Sequence, residues 1–269
     1  MAAAVGIAYL LHEAQWVRRV DRRLRAPVQA ADLDGLTIVQ LSDFHAGFAP
    51  SLNARAMRKA VDLTLAADPD LILFTGDFSG GVLGAAALQR ELRRLQAPLG
   101  VFAVLGNHDH GDSKAPFVRA LDSALVTACG VRLLVNEMVT VDHVGACIQI
   151  GGVDDSSGGH DDLPAVLAGL DRRPNVLRLL LTHHAEIALQ AAPGDFHMAF
   201  AGDTHGGQIR MPFPGGSIPL SDLGARFVEG FHDAGGRPLY VTRGVGTSLL
   251  PFRAFCRPEI VVFHVEAAG

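Results

Sequence analysis

The architecture of this chain is set by one stretch, L-T-I-V-Q-L-S-D-F-H-A-G at residues 36–47. The first half of the stretch is almost entirely apolar or β-branched, which is typical of a buried β-strand. Polar groups follow at once, because Asp43 and His45 stand directly after the apolar run. A second stretch, L-I-L-F-T-G-D at residues 71–77, repeats this order and also ends on an aspartate. The sequence therefore predicts buried strands that end in acidic or imidazole side chains.

Helical patterns separate the predicted strands, and this alternation indicates βαβ units and an α/β fold. The sequence contains no internal repeat or interdomain linker, so residues 1–269 are predicted to form a single domain. We expect it to be one sandwich of sheets flanked by helices. Strands are predicted at residues 36–41, 71–74, 101–105, 139–153 (one or two strands), 176–181, 198–201, 239–242 and 260–265, and helices at residues 52–67, 85–95, 117–129 and 162–170.

The overall composition indicates a folded protein with a large core and no basic surface field. Hydrophobic residues make up 49% of the chain and charged residues 19%, which argues against disorder. The formal net charge is −5, so no nucleic acid partner is expected. The three cysteines lack C-x-x-C spacing, which favours a reducing compartment over a disulfide framework or a thiolate zinc site.

The amino-terminal stretch from Ala2 to Leu11 is apolar but falls well short of the roughly 20 residues that span a bilayer. Its arginines follow the apolar run, beginning at Arg18, whereas a signal peptide carries basic residues ahead of it. Two interpretations remain open. Residues 1–16 either form a helix packed on the domain, which we favour, or act as a peripheral membrane-associating segment whose following arginines face anionic lipid.

Five of the predicted strands are followed directly by polar residues that can bind metal. In open α/β sheets, ligands bind outside the carboxyl ends of strands, so these five strand ends are predicted to converge on one crevice. Each residue taken alone is also explained as a turn or capping residue, and only the repetition favours a site. The segments are Asp43-Phe44-His45, Gly76-Asp77, Gly106-Asn107-His108-Asp109, His183-His184 and Gly202-Asp203-Thr204-His205.

These segments hold more candidate ligands than one tetrahedral zinc requires, and the set suits two ions that share a carboxylate. Nitrogen and oxygen donors without thiolate favour manganese, iron or zinc over calcium. Two ions roughly 3.5–4 Å apart can hold both non-bridging oxygens of a phosphate and generate hydroxide from water at neutral pH. The candidate ligands are Asp43, His45, Asp77, Asn107, His183, Asp203 and His205.

The order of these motifs resembles that of the calcineurin-like metallophosphoesterases, from Val20 to the end of the chain. The family pattern is D-x-H, G-D, G-N-H-D, a lone histidine after an apolar strand, and G-H-x-H. A bacterial branch with membrane-associated phosphodiesterases, including enzymes that cleave the pyrophosphate of UDP-diacylglucosamine, adds G-G-Q, G-x-G-T-S and P-E-I. The matching segments are L-S-D-F-H-A-G (41–47), F-T-G-D-F-S-G (74–80), L-G-N-H-D-H-G (105–111), L-L-L-T-H-H-A-E (179–186), F-A-G-D-T-H-G-G-Q (200–208), G-V-G-T-S (244–248) and P-E-I (258–260).

The resemblance implies a four-layer αββα metallophosphoesterase sandwich with mixed sheets and a centre of two divalent metal ions. It also implies a role for each candidate ligand, matched motif by motif. Asp43, His45 and His205 would bind the first metal, Asp77 would bridge the two, and Asn107 and His183 would bind the second.

The G-N-H-D motif carries the implied catalytic group. By resemblance, His108 would lie over the phosphate and donate a hydrogen bond or a proton toward the leaving oxygen. Asp109 would orient the His108 ring and raise its basicity. Asn107 and His108 would also contact the substrate, and Arg243, just after a predicted strand, could reach a phosphate. A surface or structural role for Arg243 is an equally open alternative.

Position 203 departs from the family pattern, because Asp203 stands where the first histidine of G-H-x-H is usual. A carboxylate still coordinates metal, so we expect Asp203 to bind the second metal and the enzyme to be active. A further carboxylate shifts the preference toward harder ions, so manganese is favoured, with iron, zinc or magnesium as alternatives. His184 and His110 match no position of the pattern and are interpreted as neighbours of the site or surface residues.

The leading hypothesis is a phosphohydrolase that cleaves a phosphodiester or pyrophosphate bond by in-line attack of metal-bound hydroxide. The apolar amino terminus and the arginines after it favour a lipid-linked substrate such as UDP-diacylglucosamine. We expect a monomer in the cytoplasm, peripheral on the inner membrane. A soluble (cyclic) nucleotide phosphodiesterase is the alternative, and a non-catalytic scaffold of the same fold is a third hypothesis, disfavoured because only one ligand position is changed.

Overall fold

Two six-stranded sheets form the centre of the structure, a computed structural model that describes residues 2–113, 118–221 and 224–267. The strands are β1 (Arg18–Ala26), β2 (Thr37–Leu41), β3 (Leu71–Thr75), β4 (Val101–Val104), β5 (Arg132–Leu133), β6 (Glu137–His143), β7 (Ala146–Gly152), β8 (Val176–Leu181), β9 (Met198–Ala201), β10 (Arg210–Phe213), β11 (Gly216–Pro219), β12 (Gly230–Asp233), β13 (Pro238–Val241) and β14 (Glu259–Ala267). The helices are α1 (Ala2–Glu13), α2 (Pro50–Leu65), α3 (Ala85–Leu92), α4 (Asn107–His110), α5 (Ala124–Thr127) and α6 (Leu163–Ala168).

Both sheets are mixed, with a parallel centre. The first sheet has the order β1-β14-β2-β3-β4-β5, and the second has the order β12-β13-β9-β8-β7-β6. Strands β2 to β5 are parallel to one another, as are β13, β9, β8 and β7. Strand β14 is antiparallel to β2, and β6 and β12 are antiparallel to their neighbours. Neighbouring parallel strands end at the same edge of a sheet, so each sheet gathers several strand ends at one edge.

The hydrophobic core is divided by the two sheets into three parts. Leu73 and Leu179 belong to the cluster between the sheets. Met57 of α2 and Leu88 of α3 pack on the outer face of the first sheet, and Val166 of α6 packs on the outer face of the second. Strand β3 is buried along its whole length, which explains why its sequence is continuously apolar and does not alternate. The predicted four-layer αββα sandwich with mixed sheets is confirmed.

The clearest departures from the predicted elements are at β1 and α5. Strand β1 was not predicted, because its inward residues Val20 and Leu24 are embedded among arginines that conceal the alternating pattern. It lies at an edge of the first sheet, where charged side chains discourage pairing with other chains. The helix predicted at residues 117–129 is wrong in length, because the structure has only the short helix α5 there. The Asp122 carboxylate accepts a hydrogen bond from the N–H of Ala124, the first residue of α5. Residue 117 lies outside the described residues.

Helix α1 packs against the loop that follows β13. The carbonyl of Leu10 accepts a hydrogen bond from the Arg253 N–H at 3.3 Å, and the Glu13 carboxylate accepts one from the Cys256 N–H at 2.6 Å. The side chains of Ile7 and Tyr9 stay exposed. The first residue of the predicted segment 1–16 lies outside the described residues, and none of the described helices has both the length and the apolar character to cross a membrane.

The arginines after α1 lie in β1 and not in a separate basic segment. Arg18 forms an ion pair with Glu259 at 2.8 Å, and Arg23 approaches Glu266 at 3.2 Å. Both carboxylates come from the neighbouring strand β14, so part of the basic charge that the sequence displays is paired within the sheet.

Candidate metal centre

The carboxyl ends of five parallel strands meet at one edge of the sandwich. Strands β2, β3 and β4 of the first sheet and strands β8 and β9 of the second each deliver one or two of the predicted ligands there. The structure gathers the whole predicted set: Asp43, His45, Asp77, Asn107, His183, Asp203 and His205.

Five of these residues have a left-handed backbone. The φ angle is 56° at Asp43, 44° at His45, 59° at Asp77, 70° at Asp203 and 51° at His205. Aspartate and histidine adopt this region more readily than most residues, but each instance still costs of order 1–3 kcal/mol. Backbone hydrogen bonds between strand ends, from Asp43 to Gly76 and from His45 to Asp77, help to hold this conformation. Strain is therefore concentrated at the candidate ligands.

Gly106, the glycine of the G-N-H-D motif, is required because its backbone lies very close to Asp77. A β-carbon at Gly106 would lie 2.3 Å from Oδ1 of Asp77 and 2.8 Å from the Asp77 backbone nitrogen. Any side chain at this position would displace the Asp77 carboxylate. Gly106 therefore allows the ends of β3 and β4 to pack closely enough to bring Asp77 and Asn107 into one cluster.

Asp77 occupies the middle of the cluster. Its Oδ1 accepts a hydrogen bond from the His108 backbone N–H at 3.0 Å. Its Oδ2 lies 3.4 Å from Nε2 of His45 and 3.4 Å from Nε2 of His183. A single oxygen at equal distances from two imidazole nitrogens is suited to bridging two cations.

One group of donors surrounds Asp43. Its Oδ1 lies 3.6 Å from Nε2 of His205 and 3.9 Å from Nε2 of His45, and the two imidazole nitrogens are 2.9 Å apart. Asp43 is fully buried, and neither of its carboxylate oxygens has a hydrogen-bond partner among the described residues. A buried carboxylate without partners is costly, and a cation among these three side chains would remove that cost.

A second group of donors surrounds His183. Its Nδ1 lies 2.7 Å from the Thr75 carbonyl oxygen, which can only accept, so Nδ1 carries the proton. Its Nε2 faces Asp77 at 3.4 Å and Oδ1 of Asp203 at 3.8 Å. The Asn107 amide oxygen, which also lies at this end of the cluster, is buried and has no hydrogen-bond partner in the described part of the chain. Each of these atoms offers a lone pair, so either a proton or a metal ion must lie between them.

The electrostatics of the cluster show the same need for positive charge. Burial raises the pKa of the Asp43 carboxyl to about 7, and the Asp77 carboxylate adds to the shift. Burial is the largest single influence on the pKa of His183 and would lower it, but the carboxylates of Asp77, Asp43 and Asp203 together outweigh burial, and the pKa rises well above its usual value. Burial lowers the pKa of His45 to about 3 and that of His205 well below the usual value, so both imidazoles are neutral.

The donor set fits a pair of divalent ions. It combines imidazole nitrogens with carboxylate and amide oxygens, contains no thiolate, and presents buried lone pairs that no group of the described residues satisfies. Such a set suits manganese, iron, zinc or magnesium. Three overlapping groups meet the distance requirements for holding an ion: Asp43 with His45 and His205, His45 with Asp77 and His108, and Asp43 with Asp77 and His183.

His108 lines the cleft beside the cluster, but Asp109 does not contact its ring. The Asp109 carboxylate accepts hydrogen bonds from the backbone N–H groups of Phe78, Ser79 and Gly106 at 3.0 to 3.2 Å. Nε2 of His108 instead lies 2.9 Å from the Ser113 hydroxyl. The expectation that Asp109 orients the His108 ring is therefore wrong, because three backbone N–H groups occupy the Asp109 carboxylate. Asp109 instead links the end of β3 to the end of β4 by hydrogen bonds.

A cleft of about 740 Å³ opens from the cluster to the surface. Asp77, Asn107 and His108 are part of its lining. Its lining also contains four hydrophobic side chains, those of Ile209, Leu220, Leu249 and Leu250.

Arg243 is not among the residues that line this cleft. Its guanidinium forms an ion pair with Glu229: Nη2 donates a hydrogen bond to Oε1 at 3.0 Å, and Nε lies against Oε2. Glu229 has no sequence signal that links it to Arg243, so the pairing was not predicted. The ion pair with Glu229 supports a structural role for Arg243, which is one of the two alternatives that the sequence left open.

Two further residues lie around the cluster, one named from the sequence and one missed. Of the two interpretations given for His184, the structure supports a neighbour of the site, because the ring is turned inward between Asp155 and Asp203. Arg253 is completely buried and donates to the carbonyls of His205 and Gly246 and to Nδ1 of His205. The doubled histidine at the end of β8 was a usable signal, whereas nothing around Arg253 distinguishes it in the sequence.

Comparison with known proteins adds a family assignment to this geometry. Residues 36–207 match the family model of the calcineurin-like phosphoesterases, so the match covers every candidate ligand. An uncharacterised metallophosphoesterase of Bacillus subtilis, YkuE, is 32% identical over 100% of this chain and 93% of its own length.

Two relatives carry the name of an activity. The phosphodiesterase YaeI of Escherichia coli is 28% identical, over 98% of this chain and 94% of its own length. The UDP-2,3-diacylglucosamine pyrophosphatase LpxG of Chlamydia muridarum is 30% identical, over 91% of this chain and 88% of its own length. Similarity of this extent includes the whole sandwich and its strand ends.

Proposed function

This chain belongs to the calcineurin-like phosphoesterase family and is a metal-dependent phosphoesterase, and on that premise we propose that it hydrolyses a phosphodiester or pyrophosphate bond of a lipid-linked substrate. The observation that carries the proposal is the Asp77 carboxylate, with one oxygen 3.4 Å from an imidazole in each donor group. That arrangement supports a pair of ions beside a cleft whose lining includes hydrophobic side chains.

In this proposal the two donor groups hold one ion each. Asp43, His45 and His205 hold the first, and Asn107, His183 and Asp203 hold the second, with Asp77 shared between them. A bound pair of divalent ions supplies Lewis acidity toward a phosphoryl group and lowers the pKa of water. Manganese is the ion we favour, because carboxylate and amide oxygens make up much of the donor set.

The remaining groups act on the substrate directly. Asn107 and His108 line the cleft beside the cluster and are placed to contact a phosphoryl group that enters it. His108 would donate a proton toward the leaving oxygen, with the Ser113 hydroxyl fixing its ring at 2.9 Å. The ends of β3 and β4 exclude solvent from Asp77 and Asp109, which strengthens the interactions of these buried charges.

The hydrophobic part of the cleft lining supports a lipid-linked substrate. We define the apolar rim as the exposed hydrophobic side chains of the β10-β11 hairpin and of the segments that follow β11 and β13, three of which, Leu220, Leu249 and Leu250, line the cleft: Met211, Phe213, Ile218, Leu220, Leu249, Leu250 and Phe255. The first four belong to or follow the β10-β11 hairpin, which is joined to the loop after β13 by a bridge between Ile209 and Ala254. Tyr9 of α1 contacts Phe255 with ring centroids 6.4 Å apart, so α1 extends the same surface.

An active-site assay with manganese tests the phosphoesterase chemistry. We expect the purified protein to contain two metal ions and to hydrolyse bis-p-nitrophenyl phosphate, with activity lost on chelation and restored by manganese. Turnover is measured by p-nitrophenolate absorbance, and metal content by elemental analysis. A protein with two bound ions and no turnover on this diester or on a nucleotide pyrophosphate would contradict the proposal.

A substrate panel then separates the lipid-linked substrate from the soluble alternative. The proposal expects kcat/KM for UDP-diacylglucosamine to exceed that for UDP-glucose, because only the former has acyl chains to contact Ile209, Leu220, Leu249 and Leu250 in the cleft. Equal rates for the two, or a preference for cyclic nucleotides, would favour a soluble nucleotide phosphodiesterase.

Membrane contact through the apolar rim is tested with liposomes. We expect the protein to co-sediment with anionic vesicles and the Leu249→Ser/Leu250→Ser variant to lose most of this binding, because two exposed apolar side chains no longer insert. Val144→Ser is the matched control, since Val144 is 78% exposed in the turn between β6 and β7, at the opposite end of the parallel strands. Equal binding by all three proteins would remove the support for membrane contact.

A further inference from the structure

The side-chain amide of Gln208 binds the backbone of a turn in the cleft wall. Its nitrogen donates hydrogen bonds to the carbonyl oxygens of Ser248 at 2.9 Å and Leu250 at 3.1 Å, and its oxygen accepts one from the Ser248 N–H at 2.9 Å. Gln208 is only 8% exposed, and all three residues line the cleft. Both the donor and the acceptor of the amide are thus committed to one turn. Neither the metal centre nor the chemistry proposed above uses this residue.

The turn that Gln208 binds has a backbone conformation that leucine rarely adopts. The Leu250 N–H donates a hydrogen bond to the Ser248 carbonyl at 2.7 Å, which closes a three-residue turn around Leu249. The φ angle of Leu249 is 61°, in the left-handed region that is unfavourable for a bulky side chain. Three-residue turns with a positive central φ are rare and strained, and they persist only where surrounding contacts hold them. The three hydrogen bonds of Gln208 are contacts of this kind.

Burial of the leucines does not explain this strained turn. The side chain of Leu249 is 70% exposed and that of Leu250 is 44% exposed, so neither gains much from packing in the protein. A glycine at position 249 would adopt the same backbone without strain. Both leucines line the same cleft as His108. Contact with a hydrophobic group that enters the cleft accounts for the exposure and for the strain together.

The turn is also tied to the first donor group of the metal centre. The N–H of Gln208 donates a hydrogen bond to the carbonyl of His205 at 3.1 Å. On the other side, the N–H of Gly246, two residues before Ser248, donates to the carbonyl of Asp43 at 2.6 Å. Short backbone links therefore fix the turn relative to two candidate ligands, so the leucines have a defined position with respect to a phosphoryl group at the metal centre.

We propose that Gln208 is a positioning residue that sets the specificity of the enzyme for the hydrophobic chain of its substrate. By holding the turn, it keeps Leu249 and Leu250 in contact with an alkyl or acyl chain while the phosphoryl group lies at the metal centre. The inference rests on the proposed lipid-linked substrate and adds the residues that recognise its chain. The G-G-Q and G-x-G-T-S segments, which supply Gln208 and Ser248, then act as one unit.

Gln149 of β7 provides a matched control for substitution of Gln208. It is 4% exposed, its amide nitrogen donates to the Gly169 carbonyl at 3.0 Å, and its amide oxygen accepts from the Asp171 N–H at 2.7 Å. It therefore also binds a backbone segment through both ends of its amide. Residues 169–171 lead into β8, at the opposite end of the strand from His183, and Gln149 is not among the described residues that line the cleft.

The test compares two phosphodiesters that release the same leaving group, methyl p-nitrophenyl phosphate and octyl p-nitrophenyl phosphate, the latter below the concentration at which it forms micelles. We expect kcat/KM for the octyl diester to exceed that for the methyl diester by at least about 10-fold in wild type and in Gln149→Glu. In Gln208→Glu this ratio should fall below about 2-fold, because glutamate has the size of glutamine but cannot donate to the two carbonyls. A general loss of activity lowers both rates and leaves the ratio unchanged.

Two further variants complete the test. Gln208→Met, which keeps the length of the side chain without its hydrogen bonds, replaces Gln208→Glu if that variant does not fold. In Leu249→Ser/Leu250→Ser the ratio should also fall below about 2-fold, because these side chains make the proposed contact. If either the Gln208 variant or the double leucine variant keeps the wild-type ratio, this inference is overturned while a lipid-linked substrate still stands. If wild type itself does not prefer the octyl diester, the lipid-linked substrate fails and this inference fails with it.

Discussion

An Asp77→Asn variant is expected to bind neither metal ion stably and to lose kcat/KM for a phosphodiester by at least about 10,000-fold. Oδ2 of Asp77 lies 3.4 Å from Nε2 of both His45 and His183, so this one oxygen serves both donor groups. An amide oxygen is neutral and donates weakly, and it cannot offset the repulsion between two divalent ions. The loss should therefore exceed that for any residue that serves a single group.

Metal content and activity are measured on the same preparation of the Asp77→Asn protein. Asp62→Asn is the control, because Asp62 is an exposed carboxylate on α2, paired with Arg94 at 2.5 Å and remote from the cluster. The control should keep both ions and its activity. Two tightly bound ions in Asp77→Asn would show that Asp77 does not bridge, even if activity were lost.

A His108→Gln variant is expected to keep both metal ions and to lose kcat by about 100- to 10,000-fold on a substrate with a poor leaving group. His108 lines the cleft, and its ring lies edge-on to His45 with centroids 4.5 Å apart, so it faces the position where a phosphoryl group would enter. Glutamine retains a hydrogen-bond donor but cannot transfer a proton. The rate of the chemical step should therefore fall, while the number of bound metal ions should stay the same.

The leaving group distinguishes proton donation from simple positioning. A diester that releases p-nitrophenolate needs little protonation, so His108→Gln should lose much less activity on it than on an alkyl phosphodiester. Equal losses on both substrates would show that His108 binds the phosphate without acting as an acid. Loss of a metal ion in this variant would instead make His108 a ligand, a role that its distances to His45 and Asp77 also permit.

The sequence was most informative where strands end in the parallel centre of each sheet. Strands β2, β3, β4, β8 and β9 are continuously buried, so their apolar runs are clear and the polar residues after them are conspicuous. Convergence of these ends follows from parallel pairing, which explains why the ligand cluster could be predicted without coordinates. Strand β1 lacks this signal, because an edge strand is allowed to carry many charges.

The contacts between motifs were much harder to predict. Asp109 lies next to His108 in sequence, yet its carboxylate turns to the backbone of Phe78, Ser79 and Gly106, because those N–H groups lose their solvent when β3 and β4 meet. Arg243 pairs with Glu229 for a similar reason, since a partly buried guanidinium needs a carboxylate. These pairings depend on which loops meet in three dimensions, which residue spacing does not encode.

The left-handed backbone at the ligands also bears on how this enzyme can evolve. Aspartate and histidine are among the few residues, apart from glycine and asparagine, that tolerate such φ angles, and their codons differ by a single base. At Asp203, where φ is 70°, one point mutation therefore exchanges an oxygen donor for a nitrogen donor while the loop keeps its shape. A single-base change can thus alter the metal preference of a related enzyme without disturbing the loop. A β-branched residue at the same position would lose the metal ligand and would also strain the backbone, so selection would remove it.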